Sequence, residues 1–141
     1  MMNRRSVLTL VALASVAPLT ACSSDAPSPA NEGPPANGAE LTADAFAAAM
    51  AAPKTVLLDV RTPEEFAAGH IEGARNIDIN GGNFEELVGA LDKKVPYALY
   101  CRSGNRSGTA LGIMKGLGFT STYHLGGGIG AWTQSGRALV Q

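Results

Sequence analysis

The residues best equipped for chemistry lie together in Pro96-Tyr97-Ala98-Leu99-Tyr100-Cys101-Arg102-Ser103-Gly104-Asn105-Arg106-Ser107. An apolar strand delivers Cys101 at its carboxyl end, a short polar turn follows, and a helix starts at once. That order aims backbone N–H groups at the sulfur and sets a helix N-terminus, with its partial positive charge, beneath it. Arg102 and Arg106 add two cations. All three influences favour thiolate over thiol and lower the cysteine pKa below its ordinary value of about 8.5. A thiolate in a ring of donors is a nucleophile, and the same ring can hold a small anion. Cys101 is therefore the candidate nucleophile, and Arg102, Ser103, Gly104, Asn105, Arg106 and Ser107 are the candidate anion-binding loop. An inert apolar cysteine fits poorly beside two arginines and a glycine turn. A metal site would have to recruit His70 and His124, which lack ligand-like spacing, so neither a metal nor a cofactor is expected.

The elements that position this loop alternate. Thr42 is placed to cap a helix running to about Ala51, with Leu41, Phe46 and Met50 as apolar anchors and Pro53 as its stop. Thr55 to Val60 reads as a buried strand between prolines. Thr62-Pro63-Glu64-Glu65 is a helix start with cap, N1 proline and capping-box glutamate. Ala74 to Ile79 is the next strand, and Asn83-Phe84-Glu85-Glu86 repeats the capping-box pattern before a helix to about Leu91. Pro96–Tyr100 and Ser121–Leu125 are further strands. A helix from about Ser107 closes at Gly118, and a last short helix starts near Ile129. Strand–helix alternation predicts an α/β sandwich with a mainly parallel sheet, whose ligands bind at the carboxyl ends of its strands. Gly108, Gly112 and Gly116 recur every fourth residue on one helix face, which predicts close packing against a neighbour. Asp59, at a strand end, is a supporting residue that either positions the loop or a nearby arginine, or caps the following turn. Arg61 and Arg75 are expected in surface ion pairs with carboxylates such as Glu64 or Asp78. His124 reads as packing, and Gly126-Gly127-Gly128 as the turn into the last helix, with Trp132 covering the core.

The first residues read as an address. Arg4 and Arg5 precede an almost charge-free apolar run from Val7 to Ala21. Those fifteen residues are too few for a membrane-spanning helix, which needs about twenty, and the layout fits an export signal. Leu19-Thr20-Ala21-Cys22 resembles a bacterial lipobox, which implies cleavage before Cys22 and lipid upon it; Asn3-Arg4-Arg5-Ser6-Val7-Leu8 is similar to a loose twin-arginine signal. Residues 23–39, with four prolines and no large apolar side chain, make a disordered tether of roughly 50 Å at about 3.1 Å per residue. The chain thus divides into a signal at 1–21, a lipidated Cys22 and linker at 22–39, and a globular domain at 40–141. The expected location is the cell envelope, on a membrane through the lipid. With 11 basic and 12 acidic side chains the net charge is −1, and removing the signal takes it to −3. A strongly basic nucleic-acid binder is excluded, and 45% hydrophobic residues exclude wholesale disorder.

Several segments together resemble a single-domain rhodanese, a sulfurtransferase. They are Leu57-Leu58-Asp59-Val60-Arg61-Thr62-Pro63-Glu64-Glu65-Phe66, Gly69-His70-Ile71-Glu72-Gly73-Ala74-Arg75-Asn76-Ile77, the Cys101–Ser107 loop, Leu117-Gly118-Phe119 and Leu125-Gly126-Gly127-Gly128-Ile129-Gly130-Ala131-Trp132. The resemblance implies a five-stranded, mainly parallel sheet flanked by helices on both faces, a Cys101 persulfide held by the loop's N–H groups, and a structural role for His70. Four residues separate Cys101 from Arg106; protein phosphatases of related architecture carry one more, and the narrower cradle suits sulfur better than a tetrahedral phosphate. The implied partners are a small sulfur-containing anion such as thiosulfate and a thiol or cyanide acceptor, with Arg102 and Arg106 attracting the donor. Three readings stay open: an enzyme, a sulfane-sulfur carrier or sensor with little turnover, and a non-catalytic interaction domain, against which the complete cysteine loop argues. An exposed acidic thiol in an oxidising compartment would also be prone to oxidation.

Overall fold

A computed structural model describes residues 33–141; the leader, Cys22 and most of the proline-rich segment lie outside the described residues. The chain runs β1 (Ala39–Leu41), α1 (Ala43–Met50), β2 (Val56–Asp59), α2 (Pro63–Ala68), β3 (Arg75–Asn76), α3 (Phe84–Gly89), β4 (Tyr97–Tyr100), α4 (Asn105–Gly116), β5 (Thr122–Leu125) and α5 (Gly128–Gln134). The strands form one sheet in the order β1-β5-β4-β2-β3, and every pair is parallel. The expected five-stranded α/β architecture is the one observed, with β4 at its centre.

Strand parity builds two cores. Successive side chains on a strand point to opposite faces, so Tyr97 and Leu99 of β4 enter one core and Ala98 and Tyr100 the other. Helices α3 and α4 close the first through Phe84, Val88, Ala110, Leu111 and Met114. Helices α1 and α5 close the second through Ala43, Phe46 and Trp132, with the rings of Tyr123 and Trp132 edge-on to Phe46. Trp132 is buried there as the sequence suggests. Cys101, one residue beyond β4, follows the parity of Leu99 and joins the α3–α4 side.

Helix starts follow the sequence at two sites and depart from it at a third. The Thr42 side chain accepts from the Ala45 N–H, and Thr62 with Glu65 makes a complete capping box. Asn83 makes no side-chain cap. Its ψ of 19° departs from the extended backbone a cap needs, so the residue pattern is present without the geometry.

Three other expectations change. Leu41, expected only as an apolar anchor before the helix cap, ends a strand β1 that starts at Ala39, inside the stretch read as linker. The Asn37 side chain already bonds Phe119 and Thr122, and the Gly38 N–H donates to the Thr122 carbonyl. Strand β3 spans only two residues, because it is an edge strand, although the Ile77 and Ile79 N–H groups still donate to β2 and its end. The glycine stripe of α4 does not pack: a Cβ at Gly112 or Gly116 would meet nothing within 4 Å, and only Gly108 faces a neighbour, the His124 ring at 3.6 Å. The stripe lies on the outer side of the helix, because Ala110, Leu111 and Met114 occupy the buried side.

Candidate active site

Helix α4 begins directly under the end of β4, with Gly104 as its N-cap. Gly104 turns the chain with φ +100°, a left-handed conformation that glycine adopts without steric penalty. The turn folds Arg102–Ser107 back over Cys101. The Gly104 N–H donates to Cys101 Sγ at 3.1 Å, and the Ser107 hydroxyl lies 3.6 Å from the same sulfur. Burial pushes the thiol pKa up, but the Ser107 hydroxyl and the backbone N–H groups of Ser107, Ser103 and Gly104 outweigh it, so the net shift is downward. N–H and hydroxyl donors thus surround the sulfur and favour its ionised form.

The two arginines of the loop differ in their surroundings. Arg102 is exposed. Arg106 is held bidentately by Glu65 at 2.7 and 2.9 Å, so the carboxylate compensates its charge. That pairing holds the Glu65 carboxyl down at about 2. Cys101 itself has 0% exposure, which corrects the expectation of an exposed thiol. The exposed residues of the loop are Arg102, Ser103 and Asn105.

A second wall closes the cradle from below. Gly128 has φ +59°, and a Cβ there would sit 2.5 Å from the carbonyl atoms of Arg102 and Cys101. The Ile129 N–H donates to the Cys101 carbonyl at 2.9 Å. A Cβ at Gly104 would come within 3.3 Å of the Gly127 nitrogen. The Gly126–Gly128 turn is thus more than a lead into α5: its bare backbone supports the cysteine loop.

A family model for the rhodanese-like domain matches residues 42–135. The chain belongs to the rhodanese-like family. The Synechocystis protein slr1261 is 40% identical over 86 residues, which are 61% of this chain and 47% of that protein. This chain therefore spans less than half the length of that relative. The Ectopseudomonas mendocina protein named thiosulfate sulfurtransferase GlpE is 35% identical over 77 residues, 55% of this chain and 69% of GlpE. The crystal structure of a rhodanese-related protein from Thermoplasma volcanium superposes with a TM-score of 0.64 at 29% identity, covering 72% of this chain and 97% of that one.

The remaining polar residues of the rhodanese-like domain form two buried arrangements. Asp59 accepts the Arg61 backbone N–H at 2.9 Å and grips the Arg61 guanidinium through Nε and a terminal nitrogen. Both readings of Asp59, turn cap and arginine holder, are thus realised in one side chain. Arg61 is buried, not in the expected surface pair with Glu64 or Asp78; its terminal NH2 group also donates to the Gly69 carbonyl at 2.8 Å, which ties the end of α2 to the sheet. Arg75 is exposed and makes no ion pair among the described residues. His70 stacks on Phe66 at 3.8 Å between ring centroids, with Nδ1 3.0 Å from the Phe66 carbonyl oxygen. The sequence reading missed His124. Its Nδ1 lies 2.9 Å from Ser107 Oγ and its Nε2 3.3 Å from Glu40 Oε2, so it is a polar partner of the loop rather than apolar packing. Strand parity carried the signal: Tyr123 and Leu125 enter the α1–α5 core, which turns His124 toward α4 and Cys101.

Proposed function

We propose that this chain is a sulfurtransferase that moves sulfane sulfur from thiosulfate, a persulfide or a polysulfide to a thiophilic acceptor through a persulfide on Cys101. The observation that carries the reading is the convergence on Cys101 Sγ of the Gly104 N–H at 3.1 Å and the Ser107 hydroxyl at 3.6 Å, in a loop shorter than a phosphate-binding one. In the first half-reaction the thiolate attacks the outer sulfur of the donor; the S–S bond of thiosulfate breaks and its electron pair leaves with sulfite. In the second half-reaction the acceptor attacks the outer sulfur of the persulfide and the Cys101 thiolate returns. The same donors that stabilise the thiolate stabilise it as leaving group, so each half-reaction ends where the next begins. Arg102 is the exposed loop cation available to a dianionic donor, while Arg106 is shared with Glu65. Because Cys101 has no exposed surface, a donor reaches it only when the groups around it move.

A carrier that loads once and turns over little shares this geometry. Steady-state thiocyanate formation from thiosulfate and cyanide separates the two. Continuous turnover that disappears in Cys101→Ser supports the enzyme; one rapid loading followed by negligible turnover supports the carrier. We also propose that the domain works in the cell envelope, tethered through lipid on Cys22. Replacing Cys22 with Ser should release the protein from the membrane fraction, and an unchanged distribution contradicts the tether.

A further inference from the structure

The hydrogen bonds behind Cys101 continue beyond Ser107. Ser107 Oγ lies 3.6 Å from Cys101 Sγ, 3.1 Å from the Gly104 carbonyl oxygen and 2.9 Å from His124 Nδ1. His124 Nε2 lies 3.3 Å from Glu40 Oε2. Cys101, Ser107 and His124 are all buried, while the Glu40 side chain is 69% exposed and lies against bare Gly126. The register places Glu40 directly beside His124 on the neighbouring strand. A row of groups thus runs from the sulfur at the centre of the sheet to solvent at its edge.

The hydroxyl of Ser107 has one proton and three acceptors within reach. The negatively charged Glu40 oxygen 3.3 Å from Nε2 favours the tautomer that carries its hydrogen on that nitrogen. In the neutral ring the other nitrogen, Nδ1, then has a free lone pair toward Ser107. With that tautomer the Ser107 proton points at His124 and away from the sulfur. Once Nδ1 is protonated it donates to Ser107 Oγ, and the Ser107 proton is free to turn onto Cys101. Protonation of His124 therefore frees the Ser107 proton for the sulfur, in competition with the Gly104 carbonyl oxygen.

From this geometry we infer that Ser107 and His124 form a proton relay for Cys101, with Glu40 holding the resulting imidazolium. The Cys101 S–H bond breaks and its proton goes to Ser107 Oγ. The original Ser107 O–H bond breaks and that proton goes to His124 Nδ1. The electron pair stays on sulfur as thiolate, the serine hydroxyl is re-formed as a donor to it, and the imidazolium pairs with Glu40. No net charge enters or leaves, so a thiol sealed from solvent ionises without exchanging a proton with water. His124 acts through Ser107 and is a positioning and proton-holding residue; it does not touch the reacting sulfur.

The surroundings suit this role. The groups facing His124 are Glu40 from β1, Ser107 and Gly108 from α4, and Cys101 beyond β4 through Ser107. Burial lowers the His124 pKa and Glu40 partly opposes it, a net shift that favours the accepting neutral ring. Thiolate formation and imidazolium formation then favour each other, as for any coupled cysteine–histidine pair.

The inference concerns the proposed sulfur-accepting cysteine and rests on that reading, but its test does not. The chain has two histidines, so full-length protein labelled with 15N-histidine shows His124 and, as an internal reference, His70. Capping the Cys101 sulfur with a methylthio group should lower the His124 titration midpoint by about one pH unit, the size expected for strongly interacting sites, and leave His70 unmoved. An unchanged His124 midpoint overturns the relay. In parallel, His124→Asn should slow Cys101 alkylation at pH 5 about tenfold, the equivalent of one unit of coupling, and leave the rate at pH 9 unaltered. A profile identical to wild type, or one depressed equally at both pH values, overturns it. Should His124→Asn not fold, Glu40→Gln at the exposed end should move the His124 midpoint down, and an unmoved midpoint overturns it. A protein that loads sulfur but shows an insensitive His124 refutes the relay alone; a coupled His124 in a protein that loads no sulfur refutes the proposed function alone.

Discussion

The contact between Glu65 and Arg106 joins α2 to the first turn of α4, 41 residues apart, and allows its contribution to be worked out. The perturbation is Glu65→Gln, which keeps an oxygen for the Thr62 N–H and removes the charge. Hydrogen bonding to Arg106 holds the carboxyl at about 2 instead of 4.5. At about 1.4 kcal/mol per pH unit this depression corresponds to about 3 kcal/mol at most. The carboxylate is 29% exposed, and screening at that exposure reduces the expected contribution to about 1–2 kcal/mol. The direction with pH follows from the folded value lying below the unfolded one. The stabilisation is complete above pH 4.5 and is lost as pH falls from there toward 2. Urea denaturation followed by the fluorescence of buried Trp132 measures it. Glu65→Gln should be about 1–2 kcal/mol less stable than wild type at pH 7 and at pH 5.5, with the gap narrowing at pH 3. Glu64→Gln, which removes the same charge from the exposed neighbour, should leave stability almost unchanged. Equal stability of Glu65→Gln and wild type at pH 7, or a gap that persists undiminished at pH 3, refutes the reasoning.

Three further predictions address the site. Gly128→Ala combines a left-handed backbone with a Cβ at 2.5 Å from backbone atoms, and should cost about 3 kcal/mol or more; urea denaturation checks it, and a neutral effect means the second wall does not bear on the loop. Asp59→Ala strands the buried Arg61 charge and should cost about 3–5 kcal/mol, with a loss below about 1 kcal/mol contradicting a buried pair. Because Cys101 is fully buried, a small methylthiolating reagent should modify it much faster than a bulky aromatic disulfide. Equal rates would show a sulfur open to solvent.

The cysteine loop was legible because its signals are local. An apolar strand, a polar turn with glycine at the N-cap and an immediate helix leave few ways to arrange the N–H groups of Arg102–Ser107. The partner of Arg106 was not legible, since Glu65 arrives from another helix and already had a local role in the capping box. Arg61 was read as a surface residue for a related reason: the sequence shows Asp59 two positions away but not that both side chains are buried. Strand β1 escaped because three residues flanked by a glycine turn and a helix cap carry almost no periodicity. They are a strand only through pairing with β5. His124 occupies the middle ground. Alternation of Tyr123, His124 and Leu125 puts it on the face of Cys101, yet only the tertiary fold shows that Ser107 and Glu40 sit at its two nitrogens. The Gly126–Gly128 turn likewise looks like a helix entrance until the loop it supports is in place.

The central claim is that a cradled Cys101 thiolate accepts a sulfur atom. Mass spectrometry of full-length protein incubated with thiosulfate and then freed of it tests that most directly. The account predicts a gain of one sulfur atom on the peptide containing Cys101, removed by cyanide with release of thiocyanate and absent from Cys101→Ser. An unchanged mass in folded protein whose Cys101 still reacts with a small alkylating reagent would contradict it.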